Sequence, residues 1–336
     1  MYVLTGAAGF IGANVIDAMN QAGIHNIIAV DNLTNGDKFK NLADLSIADY
    51  YDKQDFRKRL ANGEFKGKIK GILHYGACST TTENNGLYMM DNNYRYSVEL
   101  VNFCQKENIP FIYASSAAVY GISEEFSETS ENEAPLNIYG YSKLLFDHYV
   151  RSILDSPGKQ TAQIVGLRYF NVYGAREWHK GAMASVAYHF YHQYIKEGNV
   201  RLFSCTEGVL NGEQLRDFVY VGDVVNVNLH FLTKQTEVSG IFNLGTGKSA
   251  SYNDMAVSVI NSVRRLQHQV EMTLSELREN GKILYIPFPD YLVGKYQNYT
   301  KADLAELRMK GRYSLPFLSV KEAVPLYIEK LFNAMK

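Results

Sequence analysis

Tyr139 and Lys143 stand four residues apart in the run Tyr139-Gly140-Tyr141-Ser142-Lys143. One helical turn of separation puts a phenol and an ammonium on the same face of a helix. A free phenol with a pKa of about 10 is a poor base at neutral pH, and a neighbouring cation stabilises the phenolate enough to bring proton transfer within reach. Such a pair gains meaning only beside a redox cofactor, and the first dozen residues supply a seat for one.

Tyr2 to Thr5 read as a short apolar strand, followed by Gly6-Ala7-Ala8-Gly9-Phe10-Ile11-Gly12 and a helical pattern through Asn14, Val15, Ala18 and Met19. In this strand, loop and helix order, Gly6 permits the tight turn and Gly9 lets backbone N–H groups approach a pyrophosphate. Gly12 allows close helix–strand packing, and the helix N-terminus favours the negative charge. A second strand, Ile27 to Val30, ends in Asp31, about twenty residues past the loop, where a carboxylate binds adenosine ribose hydroxyls. Asp31 argues for NAD, while Lys38 and Lys53 downstream could neutralise a 2′-phosphate, so these residues leave NAD and NADP open.

The chain has 336 residues, 46% of them hydrophobic, and a formal net charge of −1. That length and apolar content can bury a large core in two lobes. The charge balance gives no handle for nucleic acid or a membrane surface, so the expected partners are small molecules and copies of the same chain. Cys78, Cys104 and Cys205 are far apart, with neither a CxxC nor a Cys/His cluster. They support no disulfide framework and no metal site, and they fit a reducing cytoplasm. The first residues lack a basic leader, and no apolar run approaches the ~20 residues that span a bilayer.

Strands near 2–5, 27–31, 70–75, 110–115 and 162–167 alternate with helices near 11–22, 52–62, 87–107 and 139–154. The alternation predicts an α/β fold with a Rossmann-type, doubly wound parallel sheet over residues 1–170. After about 170 the pattern loosens into helices near 182–197 and 320–334 and short strands such as Ile283–Ile286, with turn-rich stretches at 204–215 and 287–300. Residues 171–336 are therefore expected to form a smaller α/β lobe for the second ligand. Asp217–Val221 and Ile241–Leu244 read as strands that return to the main sheet from within 214–250, interleaving the lobes.

The strand Phe111 to Ala114 leads to Ser115-Ser116 at the carboxyl edge of the sheet, where ligands of open α/β folds collect. A hydroxyl there can share a substrate oxygen with Tyr139, or it can merely satisfy backbone groups at a strand end. Taken with Thr5 to Gly12, Ser115 to Gly121, Tyr139 to Lys143 and Arg168-Tyr169-Phe170-Asn171-Val172-Tyr173-Gly174, the chain resembles the extended short-chain dehydrogenase/reductase family over nearly its whole length. The resemblance implies Ser116, Tyr139 and Lys143 as the catalytic set, with Lys143 also holding the nicotinamide ribose. Dehydratases of that family carry an acidic pair directly after the catalytic Ser or Thr. Ala117 and Ala118 stand there instead, and methyl groups cannot deliver protons.

Tyr88 to Tyr94, Glu177 to Ser185, Arg216-Asp217-Phe218-Val219-Tyr220 and Tyr285 to Pro289 narrow the resemblance to the epimerases that invert C6 of an ADP-activated heptose for bacterial lipopolysaccharide core. Inversion through a ketone must serve a hydroxyl on either face, so a second acid/base is expected. Lys180 is the candidate, and its alternative role is to contact phosphate beside Arg176 and His179. By the same resemblance NADP is favoured. Its contacts would be Phe10, Ile11, Asp31, Asn32, Lys38, Lys53, Tyr75, Gly76, Ala77, Cys78, Ser79, Asn92, Lys143 and Val172. The ADP-heptose would lie on Asn171, Ala182, His189, Phe203, Ser204, Arg216 and Tyr296, with Arg216 suited to bidentate diphosphate binding. The resemblance also implies a homo-oligomer, a pentamer. A 4-epimerase acting on a UDP- or dTDP-hexose, and a non-catalytic nucleotide-sensing module, are the alternative functions.

Overall fold

The computed structural model describes residues 1–156, 158, 160–204, 208–289 and 298–334. Seven strands form one parallel sheet: β1 (Tyr2–Thr5), β2 (Ile27–Asp31), β3 (Asp49–Asp52), β4 (Gly71–His74), β5 (Phe111–Ser116), β6 (Ile164–Tyr169) and β7 (Gly240–Leu244). Their order is β7-β6-β5-β4-β1-β2-β3, which reverses direction at β1 and β4 and makes the edge beyond those two strands the switch point where ligands bind. Crossover helices include Phe10–Gln21, Lys53–Ala61, Tyr96–Glu107 and Ile138–Leu154. Val3, Ile28, Ile72, Phe111 and Ile164 on the strands and Phe56, Leu100, Phe146 and Val150 on helices share one buried cluster. Burying such side chains stabilises the fold by about 1.5–3 kcal/mol apiece.

The chain divides into two compact units, the first comprising Met1–Tyr169, Val224–Leu244 and Leu304–Ser314, the second Phe170–Asp223, Gly245–Asp303 and Leu315–Lys336. Ile241–Leu244 does join the main sheet, pairing with β6. Phe218–Tyr220 does not; it pairs in parallel with Asn171–Tyr173 inside the second unit, because a three-residue apolar run carries no information about which edge it will meet. Arg201, Leu202 and Phe203 similarly pair with Leu284, Tyr285 and Ile286. The strand Asp49–Asp52 was invisible in the sequence because it is a polar edge strand, Asp-Tyr-Tyr-Asp, with no buried position. The helix expected over 87–107 contains a π-helical turn, Met90–Arg95, an irregularity often found at functional sites.

One buried ionic network holds β5, β6 and the Ile138–Leu154 helix together. Asp147 accepts hydrogen bonds from Tyr113 Oη at 2.8 Å, Ser115 Oγ at 2.9 Å and Arg168 Nε at 2.9 Å. Arg168 also pairs with Glu133, which binds Arg151 Nη2 at 2.5 Å and Nη1 at 2.8 Å. Burial opposes the ionisation of Glu133, but Arg151 and Arg168 outweigh it and hold the carboxyl at about 2. A carboxyl depressed from 4.5 contributes its full stability above about pH 4.5 and loses it as the pH falls toward 2. Urea denaturation across that range should show an acid-side loss on the order of 3 kcal/mol that Glu133→Gln abolishes; an identical acid limb in the variant would contradict the assignment.

Candidate active site

In the first unit, the glycine loop packs backbone against backbone. Gly6 has φ +66°, and a Cβ there would lie 2.7 Å from Gly76 N; a Cβ on Gly12 would lie 2.2 Å from Gly6 O. No side chain fits either position, so the turn packs tightly as it leads into the Phe10–Gln21 helix, whose N-cap Gly9 places no side chain on the N-terminal N–H groups that suit a pyrophosphate. Phe10 is buried and Ile11 half-buried in the helix's first turn. Asp31 ends β2 and accepts from Ala8 N at 2.8 Å and Asn32 N at 2.7 Å, while Lys38 Nζ reaches it at 2.5 Å and the Asn32 carbonyl at 3.3 Å. Lys53 Nζ donates to Asn92 Oδ1 at 2.6 Å. Burial lowers the pKa of this lysine, helped by Arg57.

Residues 75–79 form the loop after β4. Tyr75 N donates to Thr5 O at 3.0 Å, and Tyr75 Oη to Asn228 Oδ1 at 2.7 Å. Gly76 and Ala77 are half-buried, Cys78 is fastened through its backbone to Asn93, and Ser79 is exposed.

Ser116 closes β5, and its Oγ accepts from Ala118 N at 3.1 Å, which leaves the hydroxyl hydrogen available as a donor. Ser115 points elsewhere, to Asp147. Tyr139 lies in the first turn of the Ile138–Leu154 helix, whose cap is Asn137, accepting from Gly140 N at 2.9 Å. Burial raises the Tyr139 pKa; its hydrogen bond with the Ser116 hydroxyl works in the opposite direction, and Cys78 adds to the rise. The expected lowering of the phenol by Lys143 is corrected here, because Lys143 Nζ donates to the Ala114 carbonyl at 2.6 Å and Ser116 is the group that favours the phenolate.

In the second unit, Lys180 sits in the turn Trp178–Met183, where Gly181 takes φ +54° and breaks the helical path. It is half-buried, and desolvation lowers its pKa, with Glu177 opposing the shift. Glu177 organises this turn: it is buried and accepts from Gly174 N at 3.2 Å, Ser185 N at 2.5 Å, Ser185 Oγ at 2.7 Å and Tyr327 Oη at 2.9 Å. Sequence reasoning passed over Glu177, although a carboxylate three residues before Lys180 and eight before the helix-capping Ser185 was there to be read.

Asn171 is exposed and Val172 half-buried on one short strand; Ala182 is exposed in the Lys180 turn, and His189 is half-buried on the Val186–Glu197 helix beside Tyr188. Phe203 packs edge-on against Phe288, and Ser204 N donates to Ile286 O at 2.8 Å. Arg216 is buried, with Nη1 on its neighbour's carbonyl, Leu215 O, at 2.9 Å. The next residue, Asp217, accepts from Thr246 N, Gly247 N and Ala302 N, fixing the strand that carries Arg216. Tyr296 lies outside the described residues. Among the described residues, no group of three or more His, Cys, Asp or Glu could hold a metal ion, and no helix is long and apolar enough to cross a membrane.

The profile of the NAD dependent epimerase/dehydratase family matches residues 2–245. The chain is 56% identical over 332 residues to the ADP-L-glycero-D-manno-heptose-6-epimerase of Thiobacillus denitrificans, covering 99% of this chain and 98% of that one. It is also similar to the crystal structure of the Helicobacter pylori ADP-L-glycero-D-manno-heptose-6-epimerase, with TM-score 0.79 and 28% identity over 98% of this chain and 96% of that chain. The Thermotoga maritima UDP-glucose 4-epimerase with UDP-glucose is a more distant relative, with TM-score 0.76 and 25% identity over all of both chains.

The ammonium of Lys143 is buried, and desolvation, partly offset by Asp147, brings its pKa to about 8. The ¹³Cε resonance of Lys143, assigned by its loss in Lys143→Met, should titrate with a midpoint near pH 8 in the ligand-free protein. An ordinary midpoint above about 10 would contradict the described burial.

Proposed function

The chain belongs to the NAD dependent epimerase/dehydratase family, and from that premise we propose that it interconverts ADP-D-glycero-β-D-manno-heptose and ADP-L-glycero-β-D-manno-heptose by transient oxidation at C6, for lipopolysaccharide core biosynthesis. The observation that carries this reading is the 56% identity, along 99% of the chain, to an ADP-L-glycero-D-manno-heptose-6-epimerase. By the same resemblance the enzyme works in the cytoplasm as a homo-oligomer, a pentamer.

The loop Gly6–Gly12, Asp31 and Asn32, Lys38, Lys53, residues 75–79, Asn92, Lys143 and Val172 would hold the dinucleotide; a glycine turn with no room for a Cβ at Gly6 or Gly12, leading into the N-terminus of a helix, fits its pyrophosphate. A bound nicotinamide would supply the redox chemistry, reversible hydride transfer at C6 with no net oxidation. Tyr139, as phenolate, accepts the hydroxyl proton of one epimer, and Ser116 donates a hydrogen bond to the same oxygen. The first-turn position of Tyr139 and its hydrogen bond with the Ser116 hydroxyl both favour the phenolate. Lys180, its amine made accessible by desolvation, gives or takes the proton for the other epimer. Solvent exchange resets the two protonation states between turnovers. Asn171, Ala182, His189, Phe203, Ser204, Arg216 and Tyr296 are proposed to seat the ADP-heptose, with Arg216 on the diphosphate.

NADP is the proposed cofactor. The Asp31 carboxylate is already engaged by Ala8 N–H, Asn32 N–H and Lys38, so its charge is neutralised where a 2′-phosphate would otherwise be repelled, and Lys38 supplies a cation for that phosphate. Lys38→Met should weaken NADP binding about tenfold or more while changing NAD binding far less, read by titration calorimetry. Equal losses for both dinucleotides would point to NAD.

Turnover of ADP-D-glycero-D-manno-heptose by the purified protein, with none of UDP-galactose, is expected. Tyr139→Phe and Lys180→Ala should each lower kcat by about 10²–10⁴ without releasing the dinucleotide. Turnover of UDP-galactose alone would replace this reading with a hexose 4-epimerase, and undiminished epimerisation by Lys180→Ala would remove the two-base scheme.

A further inference from the structure

The two loops proposed to hold the dinucleotide are joined beneath the sheet edge by a closed circuit of hydrogen bonds. Thr5 and His74 are register partners at the ends of β1 and β4. Gly76 N donates to Thr5 Oγ1 at 3.1 Å, Thr5 Oγ1 lies 2.6 Å from His74 Nδ1, and His74 Nε2 lies 2.8 Å from Ser97 Oγ. Ser97 Oγ donates to the Asn93 carbonyl at 2.6 Å. Asn93 then closes the ring with its side chain, accepting from Cys78 N at 2.8 Å and donating to Cys78 O at 2.9 Å. A branch leads from Asn93 Nδ2 to Ser142 Oγ at 3.2 Å and from there to the Tyr139 carbonyl at 2.7 Å.

The direction of each bond is fixed by chemistry. A carbonyl can only accept, so the single hydrogen of Ser97 is committed to Asn93, and His74 Nε2 must be the donor to Ser97. The remaining nitrogen, Nδ1, then accepts from Thr5, whose oxygen takes the Gly76 N–H. The other neutral tautomer would leave Nε2 facing a serine with no hydrogen to offer. A cationic ring would aim Nδ1–H at Thr5 and force the threonine hydrogen to find a different acceptor. The imidazole is wedged edge-on to Tyr96, with centroids 5.3 Å apart, and stacked on Phe111 at 5.9 Å. It is 2% exposed, so no solvent repairs a broken link. Burial, with the Lys143 ammonium as the nearby charge, moves its pKa well below the ordinary value, in keeping with a neutral ring.

We infer that His74 is a positioning residue for dinucleotide binding: as the neutral Nε2–H tautomer it locks the Thr5–Gly6 turn to the Gly76–Cys78 loop and, through Ser97 and Asn93, to the helix that carries Tyr139. The inference rests on those two loops being the seat of the dinucleotide, and it is independent of which sugar is turned over. The residues flanking Gly6 and Gly76 must keep their spacing because the two backbones touch there, and the circuit is what sets that spacing. The lock is side-chain chemistry that a purely apolar core could not supply, since only a group with one donor and one acceptor on opposite sides can connect a threonine to a serine across the gap.

The test is NADP and NAD affinity by calorimetry, with melting temperature as control, for the unaltered protein, His74→Phe, Thr5→Val and Thr5→Ser, together with ¹⁵N spectra of histidine-labelled protein from pH 5 to 8. Folded His74→Phe and Thr5→Val should each bind the dinucleotide about tenfold or more weakly, with kcat at saturating cofactor much less affected. Thr5→Ser, which keeps the hydroxyl, should recover most of the loss, and His74 should show the Nε2–H signature without titrating. Unchanged affinity in folded Thr5→Val, equal losses in Thr5→Val and Thr5→Ser, or an Nδ1–H or cationic His74 would overturn the inference. Failure of the unaltered protein to bind either dinucleotide would instead overturn the cofactor reading on which it rests.

Discussion

Everything in the first unit that bears on chemistry depends on one close approach, backbone on backbone, between the turn after β1 and the loop after β4. Gly6 and Gly12 carry no Cβ because the atoms of Tyr75, Gly76 and Gly6 itself occupy the space. The parallel register of β1 with β4 brings Thr5 opposite His74, and the hydrogen bonds of those two side chains then hold the loops at that approach. The helix N-terminus at Gly9 and the carboxylate at Asp31 are then delivered to the same edge by the alternation of strand and helix.

A second constraint is desolvation. Lys143 and Lys180 are both pushed toward neutrality by burial, and Tyr139 is pushed away from ionisation. Burial thus shifts all three groups proposed for proton chemistry toward their neutral forms, whereas the structural ions are paired and stay charged. Arg168 with Asp147 and Glu133 is the clearest case, and that network also turns Ser115 inward, leaving Ser116 as the hydroxyl of the pair that meets Tyr139.

The sheet and the glycine loop were legible because period, order and glycine spacing are local signals that fold topology amplifies. The Tyr139–Lys143 pair was legible for the same reason, since helical geometry alone puts four-residue neighbours on one face. Phe218–Tyr220 was misassigned because strand partnership is non-local, and Asp49–Asp52 was missed because a polar edge strand has no pattern to betray it. Asn93, His74 and Asp147, which brace the candidate site, carry no local signal in the sequence. Each acts through partners scattered along the chain, and no spacing rule links residues 74, 93 and 97 to residue 5.

In the proposed reaction the hydrogen at one sugar carbon leaves as hydride and returns to that same carbon from the other side. Epimerisation carried out in D₂O with the protein as purified tests it directly. Mass and NMR spectra of the product should show no solvent deuterium at C6, because the carbon-bound hydrogen never meets water. Deuterium at C6 in step with turnover would show deprotonation at carbon and contradict it.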